Sequence, residues 1–268
     1  MADGTRPVEV VQGAGPVVLG LPHTGTWVPA EVLARLNARG RELADTDWHV
    51  DRLYRGLLPG VTTVRATFHR YVVDANRAPS GESLYPGQAT TGLVPLTDFD
   101  GAPIWADPPR EGEIAARREA FHAPYHAALR VELERVRAAH GVAILYDCHS
   151  IRSVIPHLFE GRLPDFNIGT NGGTTCAPEI AAAVLRICDA ATGYDSALNG
   201  RFKGGWTTRH SGRPAEGIHA IQMELSQSTH LTDETAGWAY APEKADRLRP
   251  YLQDILETLA DLAPKLKG

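Results

Sequence analysis

The sequence predicts an α/β fold, a mainly parallel sheet covered on both faces by helices. Three observations carry this. Short apolar runs of strand length alternate along the chain with stretches of helical period. Hydrophobic residues make up 43% of 268 positions, enough for a substantial core in one large domain or two small ones. No internal repeat, heptad array or low-complexity linker interrupts the alternation.

In chain order, Val17–Leu21, Val61–Thr67, Tyr71–Asp74, Val142–Tyr146 and His219–Leu225 read as strands. Residues 45–58 read as a helix capped by Asp45 or Thr46. From Glu111 to Ala139, Ile114, Phe121, Tyr125, Leu129, Leu133 and Val136 recur every three to four residues, with Pro124 placed to bend or split the helix. Ala177–Thr192 and a C-terminal stretch through Leu248, Leu252, Ile255, Leu256, Leu259 and Leu262 complete the helices. Pro250 marks a start or a kink in the last of them. Residues 77–110 and 150–175 are rich in Gly, Pro, Asn and Asp and show no period. Their aromatics (Tyr85, Phe99, Trp105, Phe159, Phe166) make them packed loops, the expected walls of a site.

Composition narrows the function classes. A formal charge of −5 argues against general affinity for nucleic acid or acidic membranes, though clustered arginines or a metal can still hold a small anion. Apolar runs fall far short of a membrane span, and the first residues lack the pattern of a signal peptide, so a cytoplasmic protein is the simplest expectation. Three cysteines without paired spacing exclude a disulfide framework or a cysteine zinc knuckle. Oligomeric state is not legible.

Four predicted strands lead at their C-terminal ends to groups with chemical potential: His23, Asn76 with Arg77, Asp147 with His149, and Glu224. In open α/β sheets the ligand crevice lies at that edge. Glu224, between Met223 and Leu225, is a carboxylate in a buried setting. It is either a structural acid with a partner or a general base and acid tuned by its surroundings. His23 and His149 invite a metal, with Asp45, Asp47 or Asp51 of "DTDWHVDRLY" as carboxylate ligand. Asp47 and Asp51 are expected to share a helical face. The alternatives are histidines held by hydrogen bonds and acids placed at a helix N-terminus. There is no GxSxG, HExxH or Walker loop, and "GAG" at residues 13–15 precedes a strand instead of following one. Cys148 and His149 point to opposite sides of an extended chain, which makes Cys148 a core residue.

The blocks "LPHTGTWVP", "DTDWHVDRLY", "RYVVDANRAPSGESLYPG", "YDCHSIRSVIPHLFEGRLPDFNIGT", "NGRFKGGWTTRHSGRP" and "HAIQMELSQSTHL" resemble, in content and order, the N-formylglutamate amidohydrolases. The likeness spans roughly residues 15 to 260. It implies one domain over residues 1–268, a three-layer α/β/α sandwich around a mixed, mainly parallel sheet, similar to zinc carboxypeptidases and aspartoacylase. It implies hydrolysis of N-formyl-L-glutamate in histidine degradation. The expected ligands are His23, His149 and Asp47, the last favoured over Asp51. Zinc is the expected metal, with cobalt, manganese or iron as substitutes. Zinc carboxypeptidases carry a Glu three residues after the first His; here that position is Thr26. Glu224 takes the place of the catalytic acid/base, and Asn76-Arg77 resembles the pair that holds a substrate carboxylate. Arg152 and Arg209 are further candidates for the substrate's two carboxylates, with Lys203 and Arg213 behind them. A deacylase or carboxypeptidase-like hydrolase of another N-acyl amino acid, and a non-catalytic binding protein for acidic amino-acid derivatives, are the alternative expectations.

Overall fold

The computed structural model describes residues 6–83 and 90–266; Tyr85 of the predicted loop wall lies outside them. Seven strands form one mixed sheet: β1 (Val8–Val11), β2 (Val17–Leu21), β3 (Thr62–Ala66), β4 (Ala143–Ile151), β5 (Phe166–Gly169), β6 (Ser196–Leu198) and β7 (Ile218–Ser226). Their spatial order is β1-β3-β2-β4-β7-β5-β6. The central four run parallel, β1 is antiparallel to β3, and β5 is antiparallel to β7 while parallel to β6. The helices are α1 (Ala30–Leu33), α2 (Val50–Tyr54), α3 (Glu111–Arg117), α4 (Ala123–His140), α5 (Pro178–Asp189), α6 (Trp206–Ser211) and α7 (Pro242–Leu262).

Strand periodicity divides the interior into two cores. Val17, Leu19 and Leu21 of β2, Ile144, Tyr146 and Cys148 of β4, and Ile221, Met223 and Leu225 of β7 face α2, α5 and α7. Val18, Val64, Ala143, Leu145, Ile218 and Ala220 face α4 on the other side. Every residue of β2, β4 and β7 is buried, as expected of strands covered on both faces. Cys148 sits in the first core, where burial pushes its thiol well above its ordinary pKa. The same parity puts Asp147 and His149 on the α4 side of β4, and Gln222 and Glu224 on the α4 side of β7.

The structure corrects the predicted elements in several places. Tyr71–Asp74 is not a strand: Val72 N–H donates to His69 O at 2.9 Å in a buried turn. Tyr71, Val72 and Val73 are apolar because they pack into the α4-side core, not because they pair in the sheet. The helix expected over 45–58 shrinks to α2, and neither Asp45 nor Thr46 caps it; His49 takes that place with left-handed backbone. Asp47 therefore precedes the helix while Asp51 lies in it, and the two share no helical face. Strand β4 continues through Asp147 and His149 instead of stopping at Tyr146. Residues 150–175 contain β5, so Phe166 is a core residue and not part of a loop wall. Near Pro124, which has no N–H to give to Ala120 O, residues 118–122 widen into a π-helical turn between α3 and α4. Pro250 is accommodated inside α7.

Candidate active site

The chain switches direction at β2: β3 pairs on one side of it and β4 on the other. A crevice opens at the C-terminal edge beside such a switch, and the polar groups gather there. His23 follows β2 by two residues. Its segment is pressed against the residues that follow β3, where Trp27 N–H donates to Thr67 O at 3.0 Å. A Cβ on Gly25 would lie 2.3 Å from Thr67 O and 2.6 Å from Ala66 O, so only glycine lets the backbone carrying His23 approach this closely. Asp47 N–H donates to His23 O at 3.1 Å and ties the two segments together.

Both imidazoles aim Nδ1 at one carboxylate oxygen. Asp47 Oδ2 lies 3.1 Å from His149 Nδ1 and 3.8 Å from His23 Nδ1. One donor atom from each of His23, Asp47 and His149 lies within 4.8 Å of the others, all three residues buried. The far ring nitrogens are held from behind. His23 Nε2–H donates to Asp74 Oδ1 at 2.7 Å, and His149 Nε2 sits 3.1 Å from Asp147 Oδ1 and 3.2 Å from Asn76 Nδ2. This carboxylate backing fixes ring orientation in metal sites. His23 Nδ1 is buried with no hydrogen-bond partner among the described residues, a deficit worth about 1–3 kcal/mol unless something accepts its lone pair. The donor set of two imidazoles and one carboxylate fits a divalent metal such as zinc.

A buried counter-charge holds the acids ionised. Arg70 Nη2–H donates to Asp47 Oδ1 at 2.9 Å, and its Nη1 lies 4.0 Å from Asp74 Oδ2. Burial disfavours the Asp47 carboxylate, but Arg70 and the two histidines outweigh it and keep its pKa below the usual range. For Asp74, also buried, His23, Arg77 and Arg70 do the same more strongly. Burial and Arg70 lower the pKa of His23, whereas Asp147 and Asp47 overcome burial at His149 and raise it well above 6.5. Glu224 stands beside His149 in the β4–β7 register. Burial, reinforced by Asp47 and Asp147, pushes its carboxyl up to about 8. Gln222 orients it, donating to Glu224 Oε2 at 3.3 Å while accepting from Gly205 N–H at 2.8 Å.

The cleft over this centre encloses a cavity of about 70 Å³. His23, Asn76, Arg77, His149 and Glu224 all line it, with Phe99, Ile151, Leu158 and Phe202 as an apolar wall. Asp47 lies just beneath. Asp51 is elsewhere, 3.4 Å from Arg55 on α2, and Asp45 accepts a hydrogen bond from Phe99 N–H. Among the described residues the arginines on the cleft wall are Arg70, Arg77 and Arg201. Arg152 pairs with Asp100 at 2.7 Å and Arg209 donates to Gly204 O at 2.8 Å; neither lines the cleft. Arg213 pairs with Glu134 and Glu216, and Lys203 is exposed. Sequence reasoning passed over Arg70 and Arg201. Both stand inside quoted blocks, and the signal for Arg70 was its place four residues before Asp74 in an apolar run.

Comparison with known proteins identifies the family. The family model described as N-formylglutamate amidohydrolase matches residues 15–231. The N-formylglutamate deformylase of Pseudomonas aeruginosa is 46% identical over 255 residues, covering 92% of this chain and 94% of that protein. Its namesake from Pseudomonas putida is 45% identical over 253 residues, covering 92% and 93%. The crystal structure of an N-formylglutamate amidohydrolase from Ralstonia eutropha superposes with a TM-score of 0.80 at 28% identity, covering 97% of this chain and 99% of the other.

Proposed function

Because the chain belongs to the N-formylglutamate amidohydrolase family, we propose that it hydrolyses N-formyl-L-glutamate to formate and L-glutamate, with His23, Asp47 and His149 holding zinc. The observation that carries this reading is the convergence of both Nδ1 atoms on Asp47 Oδ2, with Glu224 in register beside His149. His23, Asp47 and His149 would hold the ion, whose positive charge would supply acidification of water and polarisation of a carbonyl and would favour the ionised form of Glu224.

The chain's own residues do the rest. Glu224 takes the proton that the attacking water loses and delivers it to the amide nitrogen, so that glutamate leaves as a neutral amine. Burial raises its pKa and the charge of a bound metal would draw it back toward the ionised form, a balance that suits both halves of that transfer. Gln222 keeps the carboxylate aimed, and the buried surroundings limit competing water. Arg70 is committed to Asp47 and Asp74 and neutralises the acids behind the centre. Arg77 and Arg201, the latter donating to Leu158 O at 3.2 Å, stand on the wall where the substrate's two carboxylates would lie, a task expected from Arg77 but assigned by sequence also to Arg152 and Arg209. Arg77 is anchored at Thr91, donating to its O at 3.0 Å and its Oγ1 at 3.1 Å. Phe99, Leu158 and Phe202 suit the methylenes between the carboxylates. A role in histidine breakdown in the cytoplasm follows from this substrate. Among the described residues no helix is long and apolar enough to cross a membrane.

The test pairs metal analysis of the purified protein with an assay for released glutamate. One equivalent of zinc and rapid turnover of N-formyl-L-glutamate, with slow turnover of the N-acetyl analogue, are the expected results. Preference for a larger acyl group reassigns the protein to another N-acyl amino acid, and metal with no turnover of either defeats the enzymatic reading.

A further inference from the structure

Three successive carbonyls behind the cleft wall are each held by a different donor. His126 Nε2 lies 2.7 Å from Ala75 O, Trp206 N–H donates to Asn76 O at 3.2 Å, and His122 Nε2 lies 2.9 Å from Arg77 O. Asn76 Oδ1 also accepts from Thr207 N–H at 2.8 Å. A carbonyl can only accept, so each imidazole spends an N–H on it. The two histidines stand four residues apart on either side of Pro124, one in the π turn and one in α4, so both reach the same segment. Their rings are 4.4 Å apart. His210, stacked on Trp206 at 4.8 Å and 11°, meets His126 at 6.1 Å and closes the group. None of these three rings lines the cleft. The segment they grip carries Asn76, which touches His149, and Arg77, which faces the cleft.

We infer that His122 and His126 are positioning residues, fixing from outside the cleft the backbone that presents Asn76 and Arg77 to the substrate. The inference rests on the proposed role of Asn76 and Arg77. Burial keeps both imidazoles neutral, lowering His122 and taking His126 down to about 3. Each therefore has one N–H, and it is committed. A segment with all three carbonyls satisfied has no reason to rotate a peptide toward water, and its side chains stay within the narrow geometry that carboxylate recognition requires.

The experiment compares His122→Leu and His126→Leu, singly, with His122→Gln and His126→Gln, in which the amide supplies an N–H at similar reach. Hydrogen exchange is followed in peptides covering residues 74–78, alongside zinc content and steady-state kinetics on N-formyl-L-glutamate. The leucine variants should keep their zinc, exchange faster at 74–78, and lose roughly 10- to 100-fold in kcat/KM. Most of that loss should appear in KM, with the glutamine variants recovering most of it. Unchanged exchange in the leucine variants overturns the pinning whatever the activity. Faster exchange with unchanged KM overturns its link to substrate. A fall in kcat/KM that glutamine does not restore marks a packing role only. If the wild-type protein fails to deformylate, the proposed function falls, while the exchange data still decide the pinning.

Discussion

At the scale of single residues the site is a set of buried charges arranged so that most have a counterpart, and Glu224 is the member to which the proposed reaction gives proton transfer. Glu224→Gln keeps the shape and the contact with Gln222 but cannot carry a proton at neutral pH. Turnover should fall by about 10²–10⁴-fold with zinc content unchanged. Loss of the metal would make Glu224 a ligand, and near-normal turnover would move the base elsewhere. His230 tests burial without chemistry. It is fully buried, 3.0 Å from Trp48 O, and burial lowers its pKa to about 4. Below pH 6.5 the unfolded chain takes up a proton that the folded one refuses until about pH 4, so this group's contribution to stability is lost as pH falls. Urea unfolding should show the wild type losing about 2 kcal/mol more than His230→Gln between pH 6.5 and 5. Parallel pH profiles for the two proteins would contradict the depressed value. The gathering of His23, His149 and Glu224 at one sheet edge was legible at this scale because a polar residue ending an apolar run is conspicuous. Arg70 was not, since a charge whose partners are 23 residues upstream and four downstream leaves no local pattern.

Elements convert those residues into a site through register and close approach. The β4–β7 register sets His149 beside Glu224 and Asp147 beside Gln222, so a slip of one residue in either strand would send that strand's pair into the opposite core. The turn after β2 depends on Gly25 in the same way. Gly25→Ala would place a methyl against backbone atoms of Ala66 and Thr67, which cannot move without disturbing β3. That variant should lose about 1–3 kcal/mol of stability and bind zinc at least tenfold more weakly, by thermal denaturation and competition with a chelating dye. Wild-type zinc affinity would show that His23 is placed by the imidazole's own partners and not by the turn. The strands β2, β3 and β7 and the helix α5 were legible to within three residues of their ends, and α7 at its C-terminal end, its start at Pro242 lying upstream of the periodic residues that marked it. Tyr71–Asp74 was misread because burial alone makes a run apolar, whether or not it pairs. The strands β1, β5 and β6 went unseen because three or four residues give too short a period to read.

On the scale of the whole molecule, two apolar cores on opposite faces of the sheet hold the site's edge, built from side chains other than His23, Asp47 and His149. The α/β class was legible because alternating strands and helices are a chain-wide pattern. The antiparallel β1 and β5 were not, because strand direction depends on connections that the residues do not encode locally. This separation of core from site predicts how the protein responds to losing its metal. Small zinc domains unfold without the ion because it replaces a core. Here the sheet and its helices bury their apolar faces independently, and Arg70 already neutralises much of the charge on Asp47 and Asp74. Chelation should therefore abolish activity while leaving the far-ultraviolet circular dichroism unchanged and unfolding cooperative. The cost is the binding free energy alone. With free zinc at 100 times Kd that is about 2.7 kcal/mol, or a fall in Tm of roughly 5–10 °C, restored by adding zinc back. Global unfolding on chelation would mean that the ion organises the sheet edge as well as the chemistry. A Tm indifferent to zinc would mean that His23, Asp47 and His149 hold no metal in solution.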